Sequence, residues 1–186
     1  MLALPGIQIF SAADSLAAVK IAEAVAQLKG PAYVRLSGGM DCPIVYESDF
    51  EFVIGKAMTL AEGDDAAIVA TGMMVREALD ASRILAEKGI RCAVVDMHTI
   101  RPLDYERLDE LFKRCALIAT VEEHSKVGGL GGAIAQYKAE RNAAVPLAVL
   151  GAEQRYARLG SPRYIWRQHG LTAEQIADEI ENRLRR

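Results

Sequence analysis

From residue 66 onward, short apolar runs alternate with helix-periodic stretches, and this alternation limits the chain to one kind of fold. The runs at 66–71, 91–97, 116–121 and 146–150 carry apolar side chains at successive positions, not at every second one. Strands of that kind are covered on both faces. Between them, 74–88 places Val75, Ala78, Leu79, Ser82, Leu85 and Ala86 on one helical face, with Gly89 behind it. Segments 104–114 and 130–141 have helical character too. A last helix starts at Thr172, where Thr-Ala-Glu-Gln forms a capping box. It buries Ile176, Ile180 and Leu184, and Arg185-Arg186 suit the negative end of its dipole. Strands alternating with helices predict a three-layer α/β/α domain over 66–186 with a mostly parallel sheet.

The first 65 residues follow another plan. A strand at 6–10, a helix at 13–29 and a strand at 32–36 make one βαβ unit, right-handed by rule. Ile21, Val25 and Leu28, flanked by Ala18 and Ala22, line the inner face of that helix, and Gly30-Pro31 close it. One such unit cannot cover both faces of its strands, so 1–37 reads as the tail of a domain whose front lies outside the chain. Residues 38–65 are acidic, but Tyr46, Phe50 and Phe52 make them more than a linker. They are expected to connect the two parts, with short strands near 44–46 and 51–54.

Composition excludes several classes. Hydrophobic residues make up 51% and charged residues 25%, which gives a globular core and argues against disorder. The net charge of −3, with scattered basic residues, is no nucleic-acid surface. No apolar run approaches the roughly 18 residues of a membrane span, and no signal peptide is visible. Cys42, Cys92 and Cys115 are far apart and form no metal or redox pair. Reduced thiols and a cytoplasmic protein are expected.

The richest polar motif is Val121-Glu122-Glu123-His124-Ser125-Lys126-Val127-Gly128-Gly129-Leu130-Gly131-Gly132. It lies where a parallel strand ends and a helix begins, the usual ligand position in such sheets. It admits three readings. A dinucleotide fingerprint fails, because the third glycine position is Ile134 and two carboxylates would repel a pyrophosphate. Acid/base chemistry is open to Glu122, Glu123 and His124, but consecutive residues do not converge on one point, and no nucleophile with a base is visible. In the third reading the carboxylates cap the next helix and Gly128, Gly129, Gly131 and Gly132 permit close packing at an interface. Residues 98–104 read as a loop leading into a helix at Asp104. Arg35, inside an apolar strand, must be paired or point into a cleft. His169 before Gly170 reads as a solvated or capping histidine.

Taken together in order and spacing, several segments resemble transketolase-like enzymes. Pro5-Gly6-Ile7, Ala12-Ala13-Asp14 and Gly30-Pro31-Ala32-Tyr33-Val34-Arg35-Leu36 are similar to the end of their pyrimidine-binding domain. Ala67 to Gly72, Thr99-Ile100-Arg101-Pro102-Leu103-Asp104, Val121-Glu122-Glu123-His124 with Gly128-Gly129-Leu130-Gly131, and Gly170-Leu171-Thr172 are similar to their C-terminal domain. The resemblance spans nearly the whole chain and is strongest to transketolase C-terminal sections of the split-subunit type. It implies an enzyme that moves a two-carbon ketol unit between sugar phosphates with thiamine diphosphate and Mg²⁺. It also implies that the Gly-Asp-Gly motif holding the diphosphate, and the activating glutamate, lie outside this chain. The expectations are a structural, dimerising chain that is inactive alone, an N-terminal section or subunit as partner, homo-oligomer formation, and no cofactor bound by this chain alone. Where the family carries a phosphate-binding arginine, Ser37-Gly38-Gly39 stand here, so Arg35 is the nearby substrate-phosphate candidate. Related alternatives are 1-deoxyxylulose-5-phosphate synthase and the beta component of a 2-oxo acid dehydrogenase; a non-enzymatic assembly or regulatory module is the alternative of another class.

Overall fold

The computed structural model describes residues 1–37 and 42–185. In chain order the elements are β1 (Gln8–Ser11), α1 (Ser15–Val25), β2 (Ala32–Arg35), β3 (Met58–Ala61), β4 (Ala66–Ala70), α2 (Met74–Glu87) and β5 (Cys92–Asp96). They continue with β6 (Thr99–Arg101), α3 (Tyr105–Arg114), β7 (Leu117–Ser125), α4 (Leu130–Glu140), β8 (Leu147–Ala152), α5 (Pro162–Gln168) and α6 (Ala173–Leu184).

The main sheet has the order β3-β5-β4-β7-β8, with β3 antiparallel and the other four parallel. Alternate residues of β4 explain its unbroken apolar run. Ala66, Ile68 and Ala70 face one core with Met74, Ala78 and Leu85 of α2 and Ile176 and Ile180 of α6. Ala67 and Val69 face the other, with Leu108 and Leu111 of α3 and Ile134 of α4. This is the three-layer α/β/α arrangement expected from the alternation of strands and helices.

A small sheet, β2-β1-β6, stands against it. The βαβ unit supplies β1 and β2 in parallel, and β6 joins β1 antiparallel. Residues 98–104, expected as a plain loop, thus contain a strand. Its pairing partner lies about ninety positions away in sequence, which no local pattern reports.

The connecting segment also differs from expectation. No strand forms at 44–46 or 51–54; the strand is β3, which completes the edge of the main sheet. The backbone N–H groups of Val45 and Tyr46 both donate to the Asp14 carboxylate, at 2.9 and 2.8 Å, and so are not free for a ladder. The aromatic residues expected to pack do so: Tyr46, Phe50 and Phe52 lie against the cluster of Phe10, Ala17 and Ile21. Gly38 and Gly39, and Arg186, lie outside the described residues. No helix is long and apolar enough to cross a membrane among the described residues.

Candidate functional site

The strand that carries the polar motif does not stop at Val121. It runs on to Ser125, so Glu122, Glu123 and His124 are strand residues on alternating sides. This decides their fates. Glu122 is fully buried. Its two oxygens accept the first N–H groups of α4, Leu130 N at 2.7 Å and Gly131 N at 3.0 Å. Those groups have no partner within a helix, and a carboxylate there also meets the positive end of the dipole. Burial raises the Glu122 pKa, while these two N–H groups, His124 and Arg35 pull it back. His124 Nε2 lies 3.4 Å from Glu122, and its Nδ1 faces the Ser125 carbonyl at 3.0 Å.

Glu123 points the other way. It accepts Arg35 Nη2 at 3.0 Å and Nε at 3.4 Å, and it also accepts the Ser37 hydroxyl. Arg35 is in β2 and Glu123 in β7, so the pair joins the two sheets. It places the strand arginine in an ion pair, one of the two options its apolar setting left open.

The glycines act through space that side chains would fill. A Cβ on Gly129 would overlap the Glu122 carboxylate and the His124 ring. A Cβ on Gly131 would overlap Val149 and Thr120. Gly128 has φ +77° and Gly72, opposite, has φ +61°, both left-handed values. Gly132 meets nothing within 4 Å. The loop therefore lets α4 sit directly on the buried carboxylate.

Where the sheets meet, a cleft of about 170 Å³ is lined by Ser11, Arg35, Thr71, His124, Gly128 and Gly129, among others. Five of the expected site residues, Arg35, Glu123, His124, Gly128 and Gly129, meet at this seam. Glu122 and Gly131 belong to the helix seat behind it, and Gly132, on the open side of α4, belongs to neither. His169 ends α5, where its Nδ1 accepts the Glu153 N–H at 3.2 Å.

Three aspartates to which the sequence assigned no role at a site hold the same seam from another side. Asp14 caps α1 through Ala17 N and takes Val45 N and Tyr46 N with its second oxygen. Asp104 caps α3 through Arg107 N and takes Ala57 N at 2.9 Å. Asp96, with no exposed surface, accepts the Tyr46 hydroxyl at 2.7 Å. Burial pushes its pKa up to about 7, with Tyr46 opposing. Nearby, His98 is buried 4.4 Å from the Phe52 ring, and burial lowers its pKa to about 4. The signal that could have found Asp96 is the one that found Arg35: a charged residue within an apolar strand.

Fold and seam together define a class: an α/β/α domain with one antiparallel edge strand, tied through its β7 end to a strand–helix–strand unit. Within that class the chain belongs to the transketolase C-terminal domain family, which it matches over residues 55–176. It is 36% identical, over its whole length, to a transketolase C-terminal section of Methanocaldococcus jannaschii, so named, and covers 58% of that protein. It is 38% identical over 92% of its length to one of the apulose-4-phosphate transketolase subunits of Actinobacillus succinogenes, covering 55% of it. The chain thus spans just over half the length of these curated relatives. Among solved structures, a split-gene transketolase described as an inactive beta4 tetramer superposes with a TM-score of 0.91 at 35% identity, over 99% of this chain and 60% of that one.

Proposed function

We propose that this chain is the C-terminal section of a transketolase-type enzyme that transfers a two-carbon ketol unit between sugar phosphates. Its own part is structural: it seats the pyrimidine-binding unit on the C-terminal domain and contributes to assembly. The observation that carries this reading is the engagement of the two carboxylates of the polar motif. Glu122 spends both oxygens on α4, Glu123 is held by Arg35 and Ser37, and His124 leans on Glu122. A general base needs an oxygen or nitrogen facing the substrate, and both oxygens of Glu122 and the Oε1 of Glu123 face protein groups instead. Arg35 is assigned to the seam for the same reason, since a substrate phosphate would compete with Glu123 for its guanidinium.

Thiamine diphosphate and Mg²⁺ would supply the carbanion chemistry and the diphosphate anchor in the complete enzyme. The donor set of this chain does not suit them. Among the described residues, no three His, Cys, Asp or Glu side chains are grouped to hold a metal ion. The sequence contains no Gly-Asp-Gly. We assign the cofactor site to an N-terminal section or subunit, which the names of the split relatives support. We further propose that the assembly is cytoplasmic and homo-oligomeric in this chain. The second point rests on the tetramer described for the structural relative.

A second reading is a piece of 1-deoxyxylulose-5-phosphate synthase. It is favoured by 37% identity to that enzyme of Syntrophotalea carbinolica over 77% of this chain, though only 22% of that protein is covered. The absence of a Pro-Arg-Gly after β2 counts against it. Mixing the purified chain with the remainder of a transketolase, an N-terminal section together with the front of the pyrimidine-binding domain, tests both. Ketol transfer from a ketose phosphate in the mixture, and in neither part alone, is expected. Condensation of pyruvate with glyceraldehyde phosphate instead would favour the second reading.

A further inference from the structure

The stretch after β8 presents large apolar side chains to solvent as no other described part of the chain does. Tyr156 and Leu159 are 104% and 100% exposed. The loop that carries them is nonetheless fixed at its base. Glu153 pairs with Lys126 at 2.6 Å, and its N–H donates to His169. Arg155 Nη2 donates to the Gln168 carbonyl at 2.9 Å. On the far side Ser161 caps α5 by accepting Tyr164 N, and Trp166 of α5 packs on the main core. The two ends of loop 154–160 are therefore closed, and its tip stands outward. Compact loops with closed ends often carry function.

The tip has the chemistry of an interface anchor. An aromatic ring, a leucine and flanking arginines are the residues that carry binding energy where protein surfaces meet. The segment from 153 to 167 holds Arg155, Arg158, Arg163 and Arg167 against one acid, Glu153, whereas the whole chain has a net charge of −3. The remainder of the chain is accordingly acidic in net charge, opposite in sign to this arm. A polyanion such as a nucleic acid or an anionic membrane would meet that acidic remainder and be repelled.

We infer that loop 154–160, with the exposed face of α5, is a docking arm whose occupant is a second copy of this chain. This rests on the homo-oligomeric part of the proposed function and adds the surface responsible. Opposite charge brings the arm to its partner, and the Tyr156 and Leu159 side chains leave water on docking.

Sedimentation velocity of the full chain at tens of micromolar tests this, with wild type, a Tyr156→Ser/Leu159→Ser double variant and Arg158→Glu compared at low and high salt. Wild type should sediment above the monomer. The double variant should dissociate at a concentration on the order of a hundredfold higher, and Arg158→Glu should weaken assembly most at low salt. Far-UV circular dichroism of the variants should match wild type, because within one chain these side chains are exposed. Monomeric wild type would overturn both the arm and the homo-oligomeric reading. Wild type and all variants assembling equally would overturn the arm alone.

Discussion

Gly129 and Gly132, three positions apart at the start of α4, should answer the same substitution with opposite signs. A methyl group on Gly129 would overlap Glu122 and His124, and the Glu122 carboxylate can yield only by giving up its hydrogen bonds to α4. Gly129→Ala should cost about 1–3 kcal/mol, as overpacking does. Gly132 faces open space inside a helix, so Gly132→Ala should stabilise by up to about 1 kcal/mol. Urea denaturation of the two variants against wild type checks both signs. Asp96 gives a second prediction for single residues. Its pKa is near 7 when folded and near 3.8 as a free side chain. Its contribution is present below the lower value and is lost as pH rises through about 7. His98 works against it in the same window, since its lowered pKa makes falling pH costly. The comparison must therefore be made with Asp96→Asn, which keeps an acceptor for Tyr46. Relative to wild type, that variant should gain stability as pH rises from about 4 to about 7 in paired denaturation series.

Among elements, the important joint is β2 to β7. Arg35 and Glu123 are each only partly exposed, and the pair is bidentate on the arginine side. A double-mutant cycle with Arg35→Met and Glu123→Gln should give a coupling of about 1–2 kcal/mol, several times that of a typical surface pair. Additive losses would mean that the sheets are held by packing alone. The connecting segment is the second joint. Asp14 and Asp104 are helix caps that use their spare oxygens on this segment, and Asp96 holds its tyrosine. Each of the two caps thus fixes a helix and a strap with one side chain, which is why the segment needs no strand until β3.

For the whole molecule, the expected behaviour follows from what the chain holds and what it does not. Isothermal calorimetry should detect no binding of thiamine diphosphate with Mg²⁺ to the isolated chain at micromolar concentration. The same titration into a mixture with an N-terminal section and the front of the pyrimidine-binding domain should show binding. A micromolar site on this chain alone would overturn the structural reading of the Glu122–Gly132 motif, because some group there would then have to face a ligand.

What the sequence determined by itself was the layer architecture and the family. Uninterrupted apolar strands spaced by helical periods leave few other folds, and ordered short motifs identify a family even when each is weak. The local caps were legible too, because Thr172 with Gln175 and Asp104 before α3 act within a single turn. The direction of each side chain in the polar motif was not legible. Read as a loop, Glu122, Glu123 and His124 had no fixed orientation; as the continuation of β7, they alternate, and the alternation sends one carboxylate into the seat of a helix and the other to Arg35. The pairing of β6 with β1 and the reach of Asp14 and Asp96 to Tyr46 were hidden for the same physical reason. Each joins residues tens of positions apart, and such contacts are set by how the two sheets meet, which only the tertiary structure decides.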